Sequence, residues 1–418
     1  MKQSITYIKY FSLIIVITMM SIVMVNVVID PFNIYHDKTF TGYNQVKPGA
    51  LRQIRLIKAE MAMEIRPEII FLGTSRAHEG QSCKHPAFAT LRCANLALHG
   101  STMFENFRYY QHDNAISPVK TAILGIDFFS FNQNRDNRNH FSDDLLTISD
   151  SGTLQSPSYL FERAKLASSI DSLKYSRRTI KKSRNKLNEH AGNLKAVNNI
   201  VYERWKQHCN GYFNDIWFPK NKPEFTLLPD NNEMSMLHKF RLTVRDSYNN
   251  NVDLYLVISP SHAWLWEALD VAGLWDDFEL WKTRIVSIVE DEAARAKSRP
   301  YPVWDFSGYN TITTDSAPTI DGAPIESRFY SDPAHYRTIV GDMVVDRILG
   351  TTFSDNTVQH DFGFMLTRKN INNHLKKIRS NQQRYRNKNL KTYSMLRQLA
   401  NDADRNINGN ALGNDNEV

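Results

Sequence analysis

A serine placed just beyond an apolar run, and an aspartate three positions ahead of a histidine near the other end, are the residues of this 418-residue sequence best suited to covalent chemistry. The run Glu68-Ile69-Ile70-Phe71-Leu72 stops at Gly73, and Ser75 follows with Arg76 beside it. Far downstream, Tyr330-Ser331-Asp332-Pro333-Ala334-His335-Tyr336 holds a carboxylate and an imidazole close together in the chain. A free serine hydroxyl is a weak nucleophile. It needs a base within hydrogen-bond reach, and the base needs a third group to orient it. The spacing predicts a helix from Pro333 to Leu349, opened by Asp332 and closed by Gly350. At such a helix entrance Asp332 and His335 lie side by side. The carboxylate would hold one ring nitrogen and leave the other for a serine. Taken alone, Asp-Pro-x-His is also the start of an ordinary capped helix.

Gly73-Thr74-Ser75-Arg76-Ala77 nearly fits the G-x-S-x-G elbow of α/β-hydrolases, but Ala77 replaces the second glycine. Ser75 also follows what reads as the first strand, whereas that elbow comes after several. No H-x-x-x-H, C-x-x-C or Cys/His zinc spacing is present, so neither a metal nor a cofactor is expected.

These groups must be positioned by a scaffold. Residues 48–65 have helical spacing, and Pro67 ends that pattern. Residues 68–72, 93–98, 121–126, 252–258 and 303–306 read as short buried strands. Ser101 is placed to cap a helix through Met103, Phe107 and Tyr110, and a Trp-rich helix starts near Ala263. Apolar strands alternating with helices predict an α/β fold with a parallel sheet covered on both faces. Active residues of such sheets gather beyond the carboxyl ends of the strands. Ser75, Gly100, Asp127 and Ser259 all fall just past such ends.

The flanking segments bear on location. Phe11 to Ile29 carries no charge over nineteen residues, with Lys2 and Lys9 before it and Asp30 after it. This length suits a bilayer span, and the positive flank suits the cytoplasm. An uncleaved anchor over residues 1–30 is expected, with the main domain, 31–350, outside the cytoplasm. Within it, residues 128–250 form a polar, mostly helical insertion with a basic run, Lys174 to Lys186. That run is either a solvated helix face or a surface for an anionic partner or lipid headgroups. Residues 351–418 read as a basic, partly disordered tail that either solubilises the protein or binds anionic headgroups or polysaccharide. The net charge is +7, but an anchored extracytoplasmic domain argues against nucleic acid as the partner. Outside the cytoplasm Cys83 and Cys93 could pair; the alternative is two buried thiols.

Four short blocks, taken in order, resemble the SGNH (GDSL-like) hydrolase superfamily. They are Gly73-Thr74-Ser75-Arg76, Asn95 to Ser101, Gly125-Ile126-Asp127-Phe128, and Asp332-Pro333-Ala334-His335. The sequence looks closest to membrane-anchored branches similar to alginate O-acetylation proteins and the D-alanyl transfer protein DltD. The resemblance implies a three-layer α/β/α sandwich with a central parallel sheet. It implies Ser75 as nucleophile, His335 as base and Asp332 as its orienter. It also implies an oxyanion hole from the backbone N–H groups of Ser75 and Gly100, with Arg76 and Asn95 as candidates for substrate binding. The family pattern G-x-N-D has an asparagine where this chain has Asp127. An ionised aspartate cannot donate to an oxyanion. Asp127 is therefore protonated, paired with Arg76, or turned away. The implied activity is an esterase or O-acetyltransferase on polysaccharide esters, served by a membrane-bound O-acyltransferase. The alternative is a catalytically weak or inactive scaffold in polysaccharide assembly.

Overall fold

The computed structural model describes residues 2–35, 38–135, 141–188, 194–217, 225–318, 327–353 and 360–411. In chain order, α1 (Lys2–Ile29) and α2 (Ile54–Ile65) precede β1 (Ile69–Leu72), α3 (Ser75–Gly80), β2 (Cys93–Asn95), α4 (Met103–Ile116) and β3 (Thr121–Ile126). Three helices follow, α5 (Tyr159–Ser168), α6 (Ile170–Asn188) and α7 (Leu194–Gly211), with a π-helical turn at Tyr212–Trp217. Then come α8 (Met236–Asn249), β4 (Asp253–Ile258), α9 (Ala263–Val271), α10 (Trp275–Arg295) and β5 (Val303–Asp305). The last elements are α11 (Thr338–Leu349), β6 (Phe364–Leu366), α12 (Ile371–Lys388) and α13 (Leu390–Ala411). The chain forms two compact units, Met1–Glu60 with His140–Asn193, and Met61–Asn139 with Leu194–Val418.

The second unit carries a six-stranded sheet in the order β2-β1-β3-β4-β5-β6. All pairings are parallel except that of β5 with β6. Every residue of β1 is buried, as is all of β3 after Thr121. Successive residues of a strand point to opposite faces, so both faces of the sheet centre are covered. That explains why these strands read as continuous apolar runs rather than alternating ones. β2 is shorter than its apolar run, yet Leu96 and Leu98 still donate to the carbonyls of Phe71 and Gly73. A disulfide joins Cys83 to Cys93.

Two helix starts differ from the sequence expectation. Thr102, not Ser101, caps α4, in a reciprocal capping box with Glu105. The Ser101 hydroxyl is committed to the Gly73 carbonyl instead, at 3.0 Å. The helix expected from Pro333 begins at Thr338. Asp332 Oδ1 accepts from the N–H groups of Ala334 and His335, at 2.8 and 3.0 Å, closing a local turn. A bridge between Tyr330 and Tyr336 then draws the segment into a tight loop. An aspartate side chain that satisfies the backbone locally competes with helix formation.

The basic C-terminal segment is built into this unit. Ile371, Leu375 and Ile378 of α12 and Leu396, Ala400 and Ala403 of α13 are buried. Its cations meet acids of α9 and α10: Arg379 pairs with Glu279, and Arg386 with Glu267 and Asp270. His374 Nε2 lies 2.9 Å from Asp305 Oδ2, which also accepts from the buried Lys282 ammonium at 2.7 Å. Of residues 406–418, read as disordered from sequence, 406–411 instead continue α13, and 412–418 lie outside the described residues.

In the first unit α1 packs on α5 and α6. The side-chain amide of Asn26 donates to the carbonyls of Ala167 and Ser169, and its oxygen accepts from Ser176. Residues Ser4–Ile29 have a mean hydropathy of 2.6, so this helix is long and apolar enough to span a membrane.

Candidate active site

The site lies wholly within the second unit. It begins at the carboxyl end of β1, where the chain must turn sharply. Gly73 adopts φ +138°, a region L side chains avoid, and a Cβ there would stand 2.9 Å from the carbonyl oxygen of Gly125 on β3. The turn delivers Ser75 as the first residue of α3, capped by the Thr74 side chain. A first-turn N–H has no partner within its own helix. The far end of α3 is held by close backbone approach. A Cβ on Gly341 of α11 would fall 1.8 Å from the Gly80 oxygen, and one on Gly80 would strike the ring of Tyr336 at 1.9 Å. Only two glycines allow these elements to meet, and Tyr336 is the neighbour of His335.

The sequence-predicted trio meets here. Ser75 Oγ lies 2.7 Å from His335 Nε2, and His335 Nδ1 lies 2.7 Å from Asp332 Oδ2. With the Nδ1 proton donated to the carboxylate, Nε2 is the acceptor for the serine hydroxyl. The loop bearing Asp332 and His335 is braced by the segment that follows β4. The Ser261 hydroxyl donates to the Ala334 carbonyl, His262 N–H to the Pro333 carbonyl, and the Tyr330 hydroxyl to the Pro260 carbonyl. Burial works against a charged His335 ring, but the hydrogen bond and charge of Asp332, with the charge of Glu79, hold its pKa above the usual histidine value. Burial likewise opposes the Asp332 charge, and His335 with His208 and the Ala334 N–H outweigh it, so its pKa is depressed.

Arg76 and Asp127 pair with each other. Arg76 Nη1 lies 2.6 Å from Asp127 Oδ1, with side chains only 4% and 1% exposed. Thr74 Oγ1 donates to the other Asp127 oxygen. Arg76 Nη2 donates to the Tyr212 hydroxyl at 3.2 Å, and its guanidinium lies 4.7 Å over the Phe129 ring. Of the three readings of Asp127, the pairing with Arg76 is the one found. Arg76 is a buried structural cation rather than a surface ion pair. Asn95 is committed too: its amide donates to the carbonyls of Ala77, His78 and Gln81 at the end of α3. Its side chain fastens that helix to β2. Gly100 follows β2 with φ +62°, and its carbonyl accepts from Arg135 at 3.0 Å.

Three residues of the insertion enter the site without having been foreseen. Trp205 of α7 donates to the Ser331 carbonyl at 3.2 Å. His208, one turn on, places Nε2 3.5 Å from Asp332 Oδ1 without closing a hydrogen bond. Tyr212 begins the π-helical turn and reaches Arg76. Such turns recur at functional sites, but no local pattern marks one in the sequence. Burial, and to a lesser degree His335 and Arg76, lower the pKa of His208, and Asp332 opposes that shift. His208, Asp332 and His335 present ligand atoms within 4.8 Å of one another. Both ring nitrogens of His335 are already engaged, so a cation here would have to displace the serine or the aspartate.

The chain matches no protein-family model, and no curated protein matches it in sequence.

Proposed function

We propose that the chain is a membrane-anchored, extracytoplasmic serine esterase or O-acyltransferase that acts on acyl esters of a polysaccharide. The proposal includes an SGNH-like three-layer α/β/α sandwich for the second unit. The observation that carries it is the unbroken line of hydrogen bonds from Asp332 through His335 to Ser75. Ser75 Oγ attacks the ester carbonyl carbon as its proton passes to His335 Nε2. Asp332 steadies the resulting imidazolium. The tetrahedral oxyanion is received by the backbone N–H groups of Ser75 and Gly100. Each such donor contributes about 3 kcal/mol to lowering the barrier. Collapse breaks the ester C–O bond, and His335 returns the proton to the departing alkoxide, leaving an acyl group on Ser75. Water or a sugar hydroxyl then attacks that acyl group and gives its proton to His335. Free Ser75 is restored, with acid or a new ester as product.

The engagement of Asp127 with Arg76 and Thr74 supports a hole built from backbone donors alone. The apolar α1, preceded by Lys2 and Lys9, supports a single-pass anchor in the cytoplasmic membrane with the catalytic unit outside. An anchored acyltransferase would accept its acyl groups from a membrane-bound O-acyltransferase. The test is acetate release from a chromogenic acetyl ester by the full chain in detergent micelles. Ser75→Ala should lower the rate by about a thousandfold or more. Equal rates for both proteins would favour an inactive scaffold.

A further inference from the structure

We propose that a groove between α1 and α6 binds an anionic phospholipid of the membrane that α1 spans, a reading that rests on α1 being the anchor. Val25 of α1 with Leu173 and Ile180 of α6 supply apolar walls, and Arg177, Lys181 and Arg184 stand among them, around an open space of about 640 Å³. Apolar walls with adjoining cations match an amphiphile with a negative head. A free anion would leave the apolar walls wet, and a neutral oil would leave the cations unanswered. Arg177 and Lys181 have no carboxylate partner among the described residues, whereas Lys174 pairs with Asp171.

The groove is also at the right height. Asn26 ties the α5–α6 corner to α1 one turn before the helix ends at Ile29. The α6 side chains Ser172, Ser176, Thr179 and Ser183 are small and buried, which lets the helix lie close. The 26 residues of Ser4–Ile29 rise about 39 Å at ~1.5 Å each, against a hydrocarbon core of about 30 Å. The end turns therefore reach the headgroup region, where lysine and arginine meet phosphate. Large apolar side chains also project from α5 and the start of α6: Leu160 is 83% exposed, Phe161 67% and Ile170 66%. In water that exposure is unfavourable. For helices lying in a membrane interface it is the expected pattern.

The test uses the full chain in a mild non-ionic detergent, with bound lipid followed by native mass spectrometry. The probes are phosphatidylglycerol, phosphatidylcholine and inorganic phosphate. Phosphatidylglycerol should bind at least about tenfold more tightly than phosphatidylcholine, and replacing Arg177, Lys181 and Arg184 by Gln should remove that preference. Replacing Lys165, Arg178 and Lys182 by Gln removes the same charge outside the groove and should leave binding unchanged. Leu173→Gln with Ile180→Gln should weaken both lipids. Equal loss in the two triple variants, equal binding of the two lipids, or displacement of lipid by inorganic phosphate would overturn the proposal. Should the groove triple lose helix content by circular dichroism, Arg177→Gln alone carries the comparison. Carbonate extraction of membranes tests the anchor separately: release of the wild-type chain would refute the anchor and leave the binding result to be judged by itself.

Discussion

Asp127 and Arg76 form a buried ion pair at 2.6 Å, and Arg76 directly follows the nucleophile in sequence. The pair fixes what each residue does. Asp127 directly follows β3 and Arg76 lies in the first turn of α3, so their contact clamps the serine turn to the sheet rim.

Breaking such a pair on one side leaves a charge buried without compensation, which costs about 3–5 kcal/mol. Asp127→Asn should lower stability by that order in denaturant titrations, and Asp127→Asn with Arg76→Met should recover part of the loss. Esterase activity should fall in Asp127→Asn. A rise would mean that position 127 faces the oxyanion, because asparagine donates where aspartate does not.

The pH response follows from His335. The base works when neutral, and its pKa is held above the ordinary value, so kcat should climb with pH through that raised value. Glu79→Gln removes one of the negative charges that hold it up and should move this limb to lower pH. Stability follows the same two groups with opposite signs. The raised His335 pKa contributes fully below the unfolded value of about 6.5 and is lost as pH rises through the folded one. The depressed Asp332 pKa contributes above about 3.9 and is lost as pH falls through the folded one. The difference in Tm between wild type and Asp332→Asn should therefore be widest between about pH 4 and 6.5 and narrow on either side. A pH-independent difference would contradict the pairing.

His208 is a positioning residue in this account, held beside Asp332 by α7. His208→Leu should lower kcat about tenfold with little change in KM, as small misplacements at an active site do, and His208→Gln should restore part of it. A chelator should leave the rate unchanged. Added zinc should inhibit by competing for His335, less so in His208→Gln, and stimulation by zinc would contradict the roles given to His335 and Asp332.

The C-terminal helices should prove structural. Deleting residues 351–418 removes the His374 contact to Asp305 and the arginine pairs to Glu267 and Glu279. Tm should drop by several degrees or the domain should fail to fold. An unchanged Tm would return this segment to the status of a solubilising tail. Asp305 is kept ionised against burial by Lys282 and His374, so this part of the stability should fade as pH falls through its depressed pKa.

What could be read from the sequence was what local pattern encodes. A buried strand, a glycine and a serine are adjacent in the chain, and Asp332 and His335 are three residues apart, so Ser75, Asp332 and His335 were all visible. The sequence predicts a helix from Pro333 because proline suits the first helical turn. The Asp332 side chain instead satisfies two backbone N–H groups in a loop, which is a tertiary choice. His208 and Tyr212 belong to a helix-prone insertion with no distinguishing residue spacing, and only folding brings them to Arg76 and Asp332. The tail reads as solvated from sequence because its acidic partners, Glu267, Glu279 and Asp305, lie far away in the chain.

The most direct test of the central claim is to trap the acyl group. Full-length chain in detergent is mixed with an activated acetyl ester, quenched in acid, and its peptides are mapped by mass spectrometry. The account predicts one acetyl group on the peptide carrying Ser75 in the wild type. In His335→Ala the adduct should form far more slowly, and in Ser75→Ala it should be absent. Acetylation elsewhere at the same rate in all three proteins, with Ser75 unmodified, would contradict it.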